Sequence, residues 1–189
     1  RLGDQRRPLP PEPVGAVAGG TVLRELCLDC RLLRAGIRDT RADADDRFHR
    51  FRLIGWWDQA LLRRSKVLVI GAGALGNEIL KNLALLGVGN ILVADLDRIE
   101  NSNLSRSVLY RAKDNGQYKA TVAAQAAIDI YPDLLAHAFN GNVVYDLGLG
   151  VYRWADIVIA GMAKREARLA INSACYRLKR PWVAGATEQ

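Results

Sequence analysis

From Lys66 to Asn77 the chain reads Lys-Val-Leu-Val-Ile-Gly-Ala-Gly-Ala-Leu-Gly-Asn, a β-branched apolar run that breaks on glycine and passes at once into helix-forming residues. It reads as a buried strand followed by a tight turn and a helix. Gly71, Gly73 and Gly76 have the spacing G-x-G-x-x-G. The first glycine permits the turn, the second lets backbone approach a phosphate, and the third lets the helix pack on the strand. The unbonded N–H groups of the helix start then face the anion. The motif predicts a nucleotide site without separating a dinucleotide from ATP.

The pattern continues as strand and helix in alternation. A second apolar run, Asn90-Ile-Leu-Val-Ala-Asp95, ends in an acidic residue 19 positions past Gly76, close to the offset of roughly 20 at which a carboxylate meets ribose hydroxyls. The spacing then predicts a helix from about Gln117 to Ile130, a strand over Leu135 to Asn140, a strand over Ala155 to Ala160, a helix over Arg165 to Leu178 and a fifth strand starting at Trp182-Val183. This order implies an α/β fold, a Rossmann-like, doubly wound and mostly parallel sheet with helices on both faces, whose ligand lies beyond the carboxyl ends of the strands.

The 189 residues, 50% of them hydrophobic, suffice for one substantial core without disulfide or metal. Residues 1–40 form an N-terminal extension: four of the six prolines lie in 1–20, and Leu23, Leu26, Cys27, Cys30 and Leu33 recur at helical spacing between Thr21 and Arg38. Residues 41–189 form the nucleotide-binding domain. The chain opens on Arg and its last strand runs into the terminus, so the sequence is expected to be a fragment at both ends. The net charge of +7 is spread among acidic residues rather than gathered in a block, which favours a polyanionic ligand or acidic protein partner over nucleic acid. No apolar run reaches the roughly 18 residues needed to span a bilayer, and there is no signal-peptide core. Three cysteines, an odd number, fit a reducing compartment. Together these predict a soluble cytoplasmic protein with no membrane or nucleic-acid partner.

Several side chains carry the candidate chemistry. Asn103, Arg106 and Lys119 follow the second strand or open the next helix, where they can reach the phosphate crevice, and Arg50 precedes the first strand. A triphosphate needs such cations and usually Mg²⁺, whereas NAD gives less reason to collect them. Trp56 and Trp57 read as core or interface rather than cofactor platform. Cys175 falls with Ile171, Ala174 and Leu178 on an apolar helical face and reads as core. Cys27 and Cys30 form a lone C-x-x-C, and no second pair follows to complete a zinc site.

Arg47-Phe-His-Arg50, Gly71-Ala-Gly-Ala-Leu-Gly76, Gly87 to Asp97, Ser102-Asn-Leu-Ser-Arg106 and Gly116-Gln-Tyr-Lys119 stand in the order and spacing seen in the ThiF/MoeB adenylyltransferases, the family that includes ubiquitin-activating enzymes. The resemblance covers roughly residues 47 to 189. It implies ATP-dependent adenylation of the C-terminal carboxylate of a ubiquitin-like or sulfur-carrier protein, with release of pyrophosphate. It implies that Gly71, Gly73 and Gly76 cradle the nucleotide, that Asp95 holds ribose hydroxyls with Asp97 beside it, and that Asn103, Arg106 and Lys119 grip the phosphates. Arg50 resembles an arginine that reaches a partner subunit's ATP site, which implies a homodimer or a heterodimer with a related subunit.

One departure stands out. Where the family has aspartate then asparagine, opening a helix and binding Mg²⁺, this chain has Gly161-Met-Ala-Lys164, with Ala163 at the aspartate position. A methyl group cannot ligate a metal, so no metal ligand is assigned; Asp97 and Glu100 are nearby carboxylates but not at the matching position. The resemblance thus leaves three readings: an active adenylating enzyme with Lys164 partly replacing Mg²⁺, a weakened or inactive subunit that scaffolds a partner, and an NAD-dependent oxidoreductase on the same glycine turn.

Overall fold

The computed structural model describes residues 46–162 and 164–185; the segment expected to be helical before Arg38, with Cys27 and Cys30, and Ala163 lie outside the described residues. A 3-10 turn, His49–Leu53, leads into helix α1, Gln59–Arg64, whose N-terminus Asp58 caps by accepting from the Leu61 N–H at 2.8 Å. There follow β1 (Lys66–Ile70), α2 (Ala74–Leu85), β2 (Asn90–Ala94), α3 (Lys119–Ile130), β3 (Leu135–Phe139), α4 (Leu149–Trp154), β4 (Ile157–Gly161), α5 (Arg165–Leu178) and β5 (Trp182–Gly185). The strands make one all-parallel sheet in the order β3-β2-β1-β4-β5.

The chain moves outward from β1 to β3, then returns past β1 to β4 and β5. With right-handed crossovers this reversal puts the two halves' helices on opposite faces. Accordingly α2 packs with α3, and α4 with α5. The fold is a Rossmann-like α/β sheet, as the strand pattern predicts. Because side chains alternate along a strand, Val67, Val69, Ile91 and Val93 meet Leu80, Ala84, Ala120, Ala123 and Ala127 in one core layer. The alanines of α3 let that helix lie close to the sheet. Leu68, Ile70, Val158 and Ala160 take the other face and are buried with Val151, Tyr152, Ile171 and Cys175 of α4 and α5. Cys175 is therefore core, and burial pushes its thiol upward.

Boundaries differ from expectation for local reasons. The helix expected from Gln117 starts at Lys119 because Ile99 N–H donates to the Gln117 carbonyl and Arg98 bridges Tyr118 in extended pairing. Ala155 terminates α4, so β4 begins at Ile157, and α4 is a helix that the sequence pattern does not predict. Trp56 is 80% exposed, so it is not part of the core.

The residues before β1 gather at the amino ends of the strands. Phe48 packs beside Gly87 at the end of α2 and edge-on to Tyr131 at the end of α3, with ring centroids 5.6 Å apart. Arg47 donates to the Ile130 carbonyl at 2.9 Å, and Gln59 to that of Leu86 at 3.0 Å. These helix ends lie at the opposite pole from the glycine turn.

Candidate functional site

In-register pairing of Ile70 with Ala94 places the next residues, Gly71 and Asp95, side by side beyond the strand ends. Gly71 has φ +91°, a conformation that side chains disfavour, and donates its N–H to the Ala94 carbonyl at 2.8 Å. Gly73 caps α2, and space beside it is open. Gly76 lies underneath: a Cβ there would sit 1.9 Å from the Gly71 carbonyl oxygen, so only glycine lets the helix approach the strand end. Asp95 joins the two strands' turns, its Oδ2 accepting from the Ala72 N–H at 2.6 Å and its Oδ1 from the Asp97 N–H at 2.8 Å. Burial outweighs those donors and raises its carboxyl above the ordinary value.

Two residues that the motif reading passed over hold this turn in shape. Asn77, fully buried within α2, donates from Nδ2 to the carbonyls of Ala72 at 2.8 Å and Gly73 at 3.0 Å, and its Oδ1 accepts from the Leu109 N–H at 2.9 Å. The Tyr110 hydroxyl donates to the Ala72 carbonyl at 2.5 Å and lies 3.3 Å from that of Lys119. Burial raises the Tyr110 phenol, keeping it a donor. One amide and one phenol thus tie the glycine turn to the loop before α3 and to the start of α3. The available signal was an amide at an apolar position of the helix directly after the third glycine, since such a group needs partners when buried.

A cleft of about 440 Å³ opens over these elements, within the usual size of a small-molecule site. Of the candidate residues, Gly71, Gly73, Asp95, Asp97, Arg106 and Lys119 line it. Lys119 sits 3.2 Å from Asp97 with its side chain 13% exposed, and Arg106 donates to the Ser102 carbonyl at 2.8 Å. Gly76 supports the cleft from beneath rather than lining it. Asn103 does not line it either: it is 7% exposed, and its Oδ1 accepts from the Glu100 N–H at 3.2 Å, closing its own turn. Glu100 in turn accepts from the Ser102 hydroxyl at 3.2 Å.

Arg50 lies apart from the other candidates. It is exposed on the 3-10 turn anchored by Phe48 and cannot enter this chain's own cleft from the opposite pole. The cleft gains residues instead from loops whose local pattern carries little information. Val143 and Val144 come from the loop after β3, which Asp146 shapes by accepting from the Asn142 N–H at 2.8 Å. Met162, Lys164 and Glu166 come from the β4–α5 junction, and Glu166 accepts from the Tyr145 hydroxyl at 2.9 Å.

Among the described residues no group of three or more His, Cys, Asp or Glu side chains is gathered as a metal ion would need. The cleft's carboxylates are each engaged: Asp95 by two backbone N–H groups, Asp97 by Lys119, Glu166 by Tyr145. Each carboxylate that could hold Mg²⁺ beside phosphate oxygens is already shared with a donor, which makes the described set a poor fit to that ion. Among the described residues no helix is long and apolar enough to cross a membrane.

Residues 46–189 match the ThiF family. Among curated proteins, the sulfur carrier protein adenylyltransferase of Thermus thermophilus is 35% identical over 147 residues, covering 76% of this chain and 54% of that protein. Human ubiquitin-like modifier-activating enzyme 7 is 37% identical over 138 residues, covering 68% of this chain and 14% of that protein. A probable molybdopterin-synthase adenylyltransferase of Porphyra purpurea is 34% identical over 131 residues, covering 69% and 34% respectively. The chain thus spans about half the length of the first of these and less of the others.

Proposed function

The chain belongs to the ThiF family, and from that premise we propose that it adenylates the C-terminal carboxylate of a ubiquitin-like or sulfur-carrier protein with ATP, releasing pyrophosphate. The observation that carries this reading is the convergence of Arg106 and Lys119 on the cleft opened by the glycine turn. Had both faced bulk solvent, the same turn would suit NAD.

In this reading the carrier carboxylate attacks the α-phosphorus, a new carboxyl-oxygen-to-phosphorus bond forms, and the bond from that phosphorus to the bridging oxygen of the pyrophosphate breaks. The substrate supplies the nucleophile, so the protein's work is positioning and charge neutralisation. The α2 N-terminus and the Gly71 and Gly73 backbone receive phosphate, and Asp95 meets the ribose. Arg106 as a fork and Lys119 as a point charge draw off the negative charge that grows on the departing pyrophosphate. Exposed Arg50, remote from its own cleft, supports an assembly with a second copy or related subunit whose cleft it serves.

Calorimetric titration of the chain with ATP and with NAD tests this. ATP should bind and NAD should not, and Arg106→Ala should weaken ATP by about tenfold or more, the worth of a charge-assisted contact. Preference for NAD, unaffected by Arg106→Ala, overturns the reading. Carrier-dependent ATP–pyrophosphate exchange, run on this chain and on Ala163→Asp, then separates an active enzyme from a scaffold: equal robust exchange in both leaves Ala163 without catalytic consequence, and exchange only in Ala163→Asp supports the weakened subunit.

A further inference from the structure

The cleft sets donors with spare capacity beside carboxylates that are already engaged. Its carboxylates, Asp95, Asp97 and Glu166, already accept from backbone, Lys119 and Tyr145. Beside them lie cationic donors. Lys164 lines the cleft at the N-cap of α5, and among the described residues its ammonium makes no hydrogen bond or ion pair. Arg106 engages a carbonyl rather than a carboxylate. The first turns of α2 and α5 both border the cleft through Gly73, Ala74, Glu166 and Ala167, and carry N–H groups ahead of their first helical bonds, Asn77 to Gly73 and Arg168 to Lys164. The link from β4 to α5, Met162-Ala-Lys164, contains no carboxylate.

A divalent cation needs acceptor oxygens, whereas a polyphosphate offers them and needs donors. A cation paired with the phosphates would also bring like charge against the Lys164 ammonium, lowering the attraction between that lysine and the anion. Building on the ATP reading above, we propose that this cleft takes the nucleotide triphosphate free of metal, with Lys164 neutralising the phosphates where a divalent cation would otherwise do so. Lys164 is then the residue that sets the metal preference of the site, and Mg²⁺ competes with it for the phosphates.

The test is calorimetric titration of ATP into the full chain in excess EDTA and again in excess Mg²⁺, repeated with Lys164→Ala and with the charge-preserving Lys164→Arg. The unsubstituted chain should bind ATP more tightly in EDTA by about tenfold, Lys164→Ala should lose roughly tenfold in EDTA and prefer Mg²⁺, and Lys164→Arg should keep the EDTA preference. Tighter binding with Mg²⁺ in the unsubstituted chain overturns the proposal and leaves ATP use standing, and that comparison needs no variant to fold. An EDTA preference that persists undiminished in Lys164→Ala also overturns it. Failure to bind ATP in either buffer, with NAD bound instead, removes the triphosphate reading and this inference together.

Discussion

At the carboxyl ends of the strands the backbone is held by single polar atoms with named partners: Asn77 on three backbone groups, Tyr110 on the Ala72 carbonyl, Asp95 on two N–H groups. At the amino ends ring packing predominates, beside the bonds of Arg47 and Gln59 to helix-end carbonyls. Phe48, Phe51, Trp57 and Tyr131 pack ring to ring, and the Arg47 and Arg63 guanidinium groups lie 5.6 and 5.5 Å from the Phe48 centroid. Contact area tolerates small displacement, whereas a hydrogen bond loses strength steeply with angle and distance. The pole that must present a turn to a ligand in one shape is thus the one built from directional bonds. The other pole only has to exclude water, and it carries the exposed Leu53 and Trp56.

That contrast is broken most directly by Phe48→Ala. The ring is 3% exposed, and its removal leaves a cavity between Gly87 and Tyr131, so stability in urea should fall by about 3–4 kcal/mol. ATP affinity by calorimetry should stay within about twofold, because the site shares no partner with Phe48. A tenfold loss of affinity would show that the two poles are coupled.

Gly76→Ala should act at the other pole with a loss of about 3 kcal/mol, since the obstructing atom is a backbone oxygen that no rotamer change can move. Here the urea midpoint and ATP affinity should fall together. Asn77→Leu follows at about 2–3 kcal/mol: it keeps volume but leaves the Leu109 N–H and two carbonyls buried with fewer partners. If binding is unchanged in a folded Asn77→Leu protein, the amide is a packing group and the comparison between poles loses its basis.

How much of this was legible before the fold was known depends on the distance over which each feature acts. The strand-turn-helix that begins at Lys66 follows from glycine spacing, and the helix Arg165–Leu178 follows from local periodicity with the expected bounds. Six residues of α4 carry too little periodicity to register. Asn77 and Tyr110 matter through partners 32 and 38 residues away, and no local pattern shows that. The resemblance gives Asn103 to the phosphates, and the bond by which its Oδ1 closes the turn with Glu100 is not visible in the motif. The place of Arg50 in the fold is set by Phe48, two residues earlier, which fixes that turn at the far pole through partners distant in sequence. Loop residues at the cleft, Val143, Val144 and Glu166, had no periodic signature to find.

The smallest expected effect is also the most specific to the polar pole. Tyr110→Phe removes one hydroxyl whose acceptor, the Ala72 carbonyl, keeps its bond from Asn77, so the loss near neutral pH should be about 1 kcal/mol. Its pH dependence carries more information. Burial raises the Tyr110 phenol above its ordinary value of 10.0, so below that pH both folded and unfolded chains hold the proton and stability is unaffected. Above it the unfolded chain ionises first, and stability falls as pH rises toward the folded value. Tyr152, buried on the opposite face of the sheet, is raised in the same way and contributes in parallel. Urea midpoints taken from neutral pH to above 10.0 should therefore decline in the unsubstituted chain, less in Tyr110→Phe, and least when Tyr152→Phe is added. If Tyr110→Phe leaves the alkaline decline unaltered, the phenol is not held neutral against the Ala72 carbonyl, and that carbonyl depends on Asn77 alone.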